Sequence, residues 1–400
     1  MKQYLNRFSL LAGALALATA CSDTPTAPVE TPVNTSQVAN SAVKFWEAGA
    51  SVAWNQTARD LFVARAVGAP HVQGRILTYL SLAQYNAVVT AEDTKTGGAQ
   101  ASAAAAVGGA SVVILKNFFP LDGALIDARL VEQLAATPWP GEKAKDAVAG
   151  ELVGRAVGAG VLAYAATDNF NLAIPTPAPG GLAEGYWVSA TPSVRGLYGT
   201  RPFFLTSGDQ FRSVPPPAFG SAAFLVDLAE IRTLSDTRTP AQLAEAQLWA
   251  ARGPQFMNQV TAELIVAYKR TEREAAHVLA LANMAGFDAG IGCFDAKFAY
   301  WYIRPSMADP LITLPIGLPN HPSYISGHSC NTASFAAVLA HAFPMETALL
   351  GDYVTRAGLS RMYGGLHYRF DISAGQQLGR DVAAWAIAHD VVGHEPFPLD

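Results

Sequence analysis

From about Ser41 to Val392 the apolar positions fall at three- and four-residue steps, the spacing that lays one face of an α-helix against a core. Ile76, Tyr79, Leu80, Leu82, Ala83 and Ala87 follow it, as do Leu243, Ala246, Gln247 and Ala250, and then Leu264, Ile265 and Tyr268. Alternating runs that would mark strands are scarce, and no fixed-period repeat stands out. The expected fold class is all-α, arranged in helical bundles. One stretch, residues 174–219, breaks the helical pattern with Pro175, Pro177, Pro179, Gly180, Gly181, Trp187, Pro192, Tyr198, Pro202, Phe203, Phe204 and Pro215-Pro216-Pro217. Its aromatic content argues against disorder. It reads as an ordered strap, packed over the helices and covering the mouth of a site or joining two helical halves.

The most apolar internal run, Ala103 to Leu115, is broken by Gly108 and Gly109, and no internal stretch shows the roughly 18 uninterrupted apolar residues of a membrane span. The N-terminus differs in kind. Lys2 and Arg7 precede an apolar stretch from Phe8 to Ala18, and small residues then lead to Cys21, which reads as an export signal. A cysteine at that point resembles the lipobox of bacterial lipoproteins, although Ala18 stands where Leu is commonest. The expected organisation is a signal over residues 1–20, a lipidated Cys21, a Pro/Thr-rich tether over 21–40, and one helical domain over 41–400. The protein is then expected in the cell envelope, lipid-anchored, or periplasmic without the lipid.

Half of the 400 residues are apolar, enough for a large core, and only 15% are charged. A net charge of −5 argues against a nucleic-acid partner. It does not argue against an anion site, because a few buried cations dominate a pocket whatever the net charge. Besides Cys21 the chain has Cys293 and Cys330, in no CxxC arrangement, so no thiolate metal site is suggested. An exported protein can pair them, and two buried apolar thiols explain them equally.

Three clusters in the C-terminal third carry the chemistry. Lys297-Phe-Ala-Tyr-Trp-Tyr-Ile-Arg304-Pro305 places two cations two helical turns apart among aromatics, with Pro305 expected to end the helix. Cations in apolar surroundings need an anion, unless both snorkel to water. His321-Pro-Ser-Tyr-Ile-Ser326-Gly327-His328 leads into a helix with Phe335, Val338, Leu339 and Ala342. A hydroxyl, a free N–H and an imidazole at a helix start suit an anion, and a plain serine cap with surface histidines is the alternative. Ser360-Arg361-Met-Tyr-Gly364-Gly365-Leu-His367-Tyr-Arg-Phe-Asp371 adds a guanidinium for bidentate contacts. Gly364-Gly365 would break a helix and swing His367 inward. Asp371, one turn after a helical His367, would hold the ring in one tautomer, or else cap the helix through Leu378, Val382 and Trp385. Together the clusters describe a pocket for a tetrahedral or trigonal-bipyramidal oxyanion.

In these spacings the chain resembles the vanadium-dependent haloperoxidases, which share the pattern with the type 2 phosphatidic acid phosphatase superfamily. Asn283 to Asp288, Asp295-Ala-Lys297, the strap and the Arg75 to Val89 segment look like the bacterial branch, so the resemblance spans 41–400. One departure is Ile325, where the family has proline, which bears on how the loop is held. The resemblance implies a catalytic domain binding vanadate as V(V). His367 would be the metal ligand. Lys297, Arg304, Arg361, Ser326 and Gly327 would hold the vanadate oxygens, and Asp371 would support His367. His328 would act as acid–base toward hydrogen peroxide, and Lys297 would polarise the peroxide that halide attacks. Halide and a small organic acceptor complete the implied partners. His321 resembles its counterpart in algal bromoperoxidases, which favours bromide or iodide. Two alternatives stand beside this: a phosphatase using a phosphohistidine at His367, and a non-catalytic oxyanion-binding lipoprotein.

Overall fold

The computed structural model describes residues 49–136, 141–170, 184–189, 192–193, 196–391 and 394–399. The expectations for the export signal, Cys21 and the tether lie outside these residues, as does the Pro175–Gly181 part of the strap.

The protein is all-α, as its periodicity predicts. Thirteen helices occur among the described residues, with a single two-stranded hairpin, β1 (Lys95–Thr96) and β2 (Ala99–Gln100). The first five helices are α1 (Ala50–Ala64), α2 (Pro70–Asp93), α3 (Ala103–Phe118), α4 (Gly123–Ala135) and α5 (Ala147–Ala165). After the strap come α6 (Ala222–Asp236), α7 (Pro240–Ala250), α8 (Pro254–Ala267) and α9 (Glu272–Tyr300). The last four are α10 (Pro305–Ala308), α11 (Gly327–Ala342), α12 (Thr347–Tyr363) and α13 (Arg369–Ala388).

Two bundles share α9. Its 29 residues make a rod of about 44 Å at 1.5 Å per residue. On one side Ala276, Ala280 and Met284 join the core of α1–α5. On another, Leu279, Ala282 and Ala285 join the core of α7, α8 and α11–α13. Such a helix must be apolar nearly all round. It starts cleanly because Thr271 and Glu274 form a reciprocal capping box. Among the described residues two helices, α5 and α9, are long and apolar enough by length and composition to cross a membrane, although charged residues break any uninterrupted apolar run in them. The apolar window of α9 is 89% buried inside the protein, that of α5 only 28%.

Buried carboxylates tie distant segments to α9. Glu272 accepts the N–H groups of Gly49 (3.0 Å), Ala50 (3.0 Å) and Ser51 (2.8 Å), capping the start of α1 from outside. Asp288, wholly buried, accepts the N–H groups of Phe203 (2.8 Å), Phe204 (2.7 Å) and Leu205 (3.1 Å). Burial raises its carboxyl to about 6 against the pull of those three donors. The described part of the strap is thus ordered backbone fixed to the shared helix. Trp187, Leu197 and Leu205 bury their side chains in a third core with the C-terminal half of α9.

Candidate active site

Where α9 ends decides the site. Trp301 adopts a left-handed backbone (φ 49°) and its N–H bonds the Lys297 carbonyl at 2.9 Å. The strap holds that turn: Trp187 N–H donates to the Trp301 carbonyl (2.6 Å), and Ile303 N–H to that of Gly185 (3.0 Å). Lys297 and Arg304 therefore do not share a helix face. Arg304 precedes the short α10, which Pro305 begins, so the expectation that Pro305 ends a longer helix is corrected. The two cations converge all the same, both with no exposed surface.

Neither cation meets a carboxylate. Lys297 Nζ donates to the carbonyls of Pro322 and Ser323, each at 2.8 Å. Arg304 donates to the carbonyls of His321 (3.0 and 3.1 Å) and Leu366 (2.8 Å), to His321 Nδ1 (3.0 Å) and to His367 Nε2 (3.1 Å). Arg361, on the last turn of α12, donates to Ser360 Oγ and the Ala246 carbonyl, both at 3.1 Å. Burial holds all three below their ordinary values, Lys297 at about 8 and each arginine at about 10. Three buried cations ringed by carbonyls leave a positive hollow.

The loop from His321 to Ser326 is held on both sides. Ile325 is fully buried, Tyr324 Oη donates to the Val214 carbonyl (2.6 Å), and Ser326 N–H donates to the Asp371 carbonyl (3.0 Å). Packing and main-chain bonds thus fix the loop where the family carries a proline. Ser326 caps α11 and Gly327 opens it, so the helix start falls at the expected residues. His328, on the first turn, donates from Nε2 to the Trp249 carbonyl at 3.0 Å. Burial, and then the Arg361 charge, lower it to about 3, which keeps it neutral.

Gly364 ends α12 and Gly365 turns the chain at φ 71°, where a Cβ would lie 3.0 Å from both Ile312 Cγ2 and the Thr313 carbonyl. His367 consequently sits in the loop before α13 and not on a helix, which corrects the expectation of a helical histidine. Its ring is still fixed by Asp371, whose Oδ2 lies 2.8 Å from Nδ1. Arg304 offers only N–H groups, so Nε2 accepts from it, and Nδ1 carries the proton that Asp371 accepts. Burial and the charges of Arg304 and Lys297 drive His367 well below 6.5, so Nε2 keeps a lone pair near neutrality. The capping alternative for Asp371 also holds in part: it is the third residue of α13 and accepts the Tyr368 N–H at 3.2 Å. Burial raises Asp371 to about 7, while Ser323, Lys297 and Arg304 pull the other way.

A cavity of about 490 Å³ has Gly327, His328, Arg361, His367 and His321 on its wall, whereas Lys297, Arg304 and Ser326 are fully buried and not among its lining residues. Trp249, Phe256, Phe287 and Phe335 give it an apolar flank, and the strap contributes Ser193 and Leu197. Ser323 was not singled out in the sequence, yet its hydroxyl donates to Asp371 Oδ2 at 2.5 Å. Its only sequence signal was its place between two chemically loaded neighbours. Cys293 and Cys330 are both free and buried. No group of three histidine, cysteine, aspartate or glutamate side chains gathers as a metal site among the described residues. The donor set fits instead an oxyanion held by cations and N–H groups, with one imidazole nitrogen.

Residues 343–392 match the family model for the VCPO second helical-bundle domain. No curated protein sequence matches the chain. Among solved structures, the first bacterial vanadium-dependent iodoperoxidase is similar with a TM-score of 0.71 and 20% identity, covering 85% of this chain and 95% of that one. The apo form of a bacterial vanadium-dependent chloroperoxidase gives 0.65 and 13%, covering 80% and 95%. The holo form gives 0.63 and 15%, covering 80% and 91%. The chain has the fold of the bacterial vanadium-dependent haloperoxidases.

Proposed function

We propose that the protein is a vanadate-dependent haloperoxidase that oxidises halide with hydrogen peroxide to hypohalous acid, which halogenates a small organic acceptor. The observation that carries this reading is the hollow itself: three buried cations without a carboxylate partner, one of them bonded to the Nε2 lone pair of an imidazole that is kept neutral. Lys297, Arg304 and Arg361 hold the vanadate oxygens, with the Ser326 hydroxyl and Gly327 N–H, and His367 Nε2 is the nitrogen ligand. Bound there, vanadate supplies the Lewis acidity that activates hydrogen peroxide toward halide. His328 is the group that moves a peroxide proton; its Nε2 carries the proton, so Nδ1 is the basic atom. Asp371 keeps His367 in the metal-binding tautomer. His321, bonded to Arg304 and edge-on to Phe294, adjusts halide preference toward bromide or iodide. At the N-terminus, Cys21 anchors the exported protein through lipid.

The deciding experiment incubates the protein with orthovanadate, removes the excess, and follows oxidation of iodide, bromide and chloride with peroxide. A phosphatase assay runs in parallel on vanadate-free protein. Turnover of iodide or bromide, lost together with vanadate retention in His367→Ala, is the expected result. Phosphate release without oxidation of any halide overturns the reading in favour of phosphohistidine chemistry at His367. Retention of the protein in the membrane fraction after Cys21→Ser would overturn the anchor.

A further inference from the structure

Two nucleophilic side chains beside the oxyanion hollow play no part in that chemistry. Cys293 lies on α9, four residues before Lys297, and is one of the residues that border the cavity. Cys330 lies on α11, four residues after Ser326, and its N–H closes the first turn onto the Ser326 carbonyl at 3.0 Å. The two thiols are in hydrogen-bonding contact, and neither exposes surface to bulk solvent. Cys293 Sγ donates to the Ile325 carbonyl at 3.6 Å and would stand 3.9 Å from a Cβ at Gly327. Cys293 thus borders both the cavity and the Ile325–Gly327 backbone, and Cys330 does not border the cavity.

We propose that Cys293 and Cys330 form a peroxide-reactive thiol pair, in which Cys293 is oxidised first and Cys330 resolves it to a disulfide that loosens the oxyanion hollow. In the first step the Cys293 thiolate attacks one peroxide oxygen and the O–O bond breaks, giving a sulfenic acid and hydroxide, which takes up the thiol proton to leave as water. In the second, Cys330 sulfur attacks Cys293 sulfur, the S–O bond breaks, and a second water leaves with the Cys330 proton. Two thiols and one hydrogen peroxide become one disulfide and two waters. The asymmetry favours this order. Burial opposes ionisation at both sulfurs, but the Cys330 contact and the Lys297 ammonium hold Cys293 below its ordinary value, whereas Cys330 is held well above.

The bond reaches the hollow because it consumes the proton that Cys293 donates to the Ile325 carbonyl, and because α11 has no room to recede. A Cβ at Gly379 would stand 2.3 Å from the Cys330 carbonyl, and one at Gly375 2.7 Å from that of Ser326, so α13 lies hard against the back of α11. The sulfurs must close by shifting the Ile325–Gly327 backbone or the α9 side chain above it. The supply of peroxide in life rests on the proposed function; the geometry of the pair does not.

The test uses the full-length, vanadate-free protein. It is treated with hydrogen peroxide, alkylated after denaturation, digested and mapped by mass spectrometry. Orthovanadate affinity is measured before oxidation, after it, and after reduction with dithiothreitol. The expected result is a Cys293–Cys330 linked peptide, with affinity lowered about threefold to tenfold, the scale of one lost hydrogen bond, and restored by reduction. In Cys330→Ser, Cys293 carries the sulfenic acid with no link; in Cys293→Ser, Cys330 stays alkylatable. Two thiols that remain alkylatable after peroxide overturn the proposal, as does Cys330 oxidising at the wild-type rate in Cys293→Ser. A link that leaves affinity unchanged overturns its effect on the hollow. Linkage in a protein that oxidises no halide refutes the functional reading alone, and halide oxidation with inert thiols refutes the pair alone.

Discussion

Removing Asp371 tests the logic of the site most directly. Its Oδ2 takes three buried donors: Ser323 Oγ at 2.5 Å, His367 Nδ1 at 2.8 Å and Tyr368 N at 3.2 Å. Asp371→Asn can place its carbonyl oxygen where Oδ2 stands and keep all three, turning its amide toward the Oδ1 position, which has no hydrogen-bond partner. It removes the charge and leaves a buried amide without an acceptor. Asp371→Ala orphans all three donors. At about 1 to 3 kcal/mol each, partly relieved by water, the cost to folding is roughly 3 to 6 kcal/mol, a large part of an ordinary domain's stability. His367 is then free to carry its proton on Nε2, the atom proposed to bind the metal. The expected loss of vanadate affinity is about tenfold for Asn and about a hundredfold for Ala, the range seen for groups that orient a metal-binding histidine. Equilibrium dialysis of vanadate gives the affinities, and ¹⁵N NMR of the imidazole gives the tautomer. Wild-type affinity in a folded Ala variant, or a ring still protonated at Nδ1 in it, would refute the argument. If Ala does not fold, an Asn variant that loses nothing refutes the charge argument by itself.

Other expectations concern the frame around the site. His328→Gln should gain stability relative to the wild type as pH falls from 7 to 5. The native imidazole, held at about 3, stays neutral while the unfolded one charges below its ordinary 6.5, so the wild type alone loses stability in that window. The difference is roughly 1 to 2 kcal/mol, read from urea midpoints at the two pH values; no shift would show that His328 is not held neutral. Gly379→Ala should cost about 2 to 3 kcal/mol, because its methyl would stand 2.3 Å from the Cys330 carbonyl and push α13 from α11. A midpoint within error of the wild type would show that the helices have room. Glu272→Ala should cost about 2 to 4 kcal/mol and raise hydrogen exchange first at Ala50 and Ser51, whose N–H groups lose their acceptor. Protection unchanged there would contradict the role of Glu272 as an external cap.

Much of this was legible in the sequence, and the exceptions share a cause. Helices such as α2, α8 and α11 follow from local periodicity, and the residues of the hollow from three short clusters. The end of α9 did not follow, because Trp301 turns left-handed against Trp187 and Gly185, partners more than a hundred positions away. The same is true of His367, whose loop position depends on the fit of Gly365 beside Ile312 and Thr313. Charge placement read well because a cation in an apolar run is conspicuous in one dimension. Ser323 escaped because a serine beside a proline is an ordinary loop residue until Asp371 lies opposite it. The length and apolarity of α5 and α9 are also masked in the sequence, since scattered charged residues such as Glu151 and Arg155 interrupt the apolar run.

Asp288 grips the strap by three main-chain N–H groups, and a main-chain donor is the same whatever side chain follows it. The anchor itself therefore places few demands on side-chain identity at residues 203–205; packing is what limits them, since Leu205 is buried in the third core and Phe203 and Phe204 pack against the helical cores. On the cavity wall, exposed Ser193 is a position where the side chain can change without disturbing a core, whereas Leu197 is held in one. A helical scaffold held in this way separates the part of the pocket that must stay constant from the part that is free to vary.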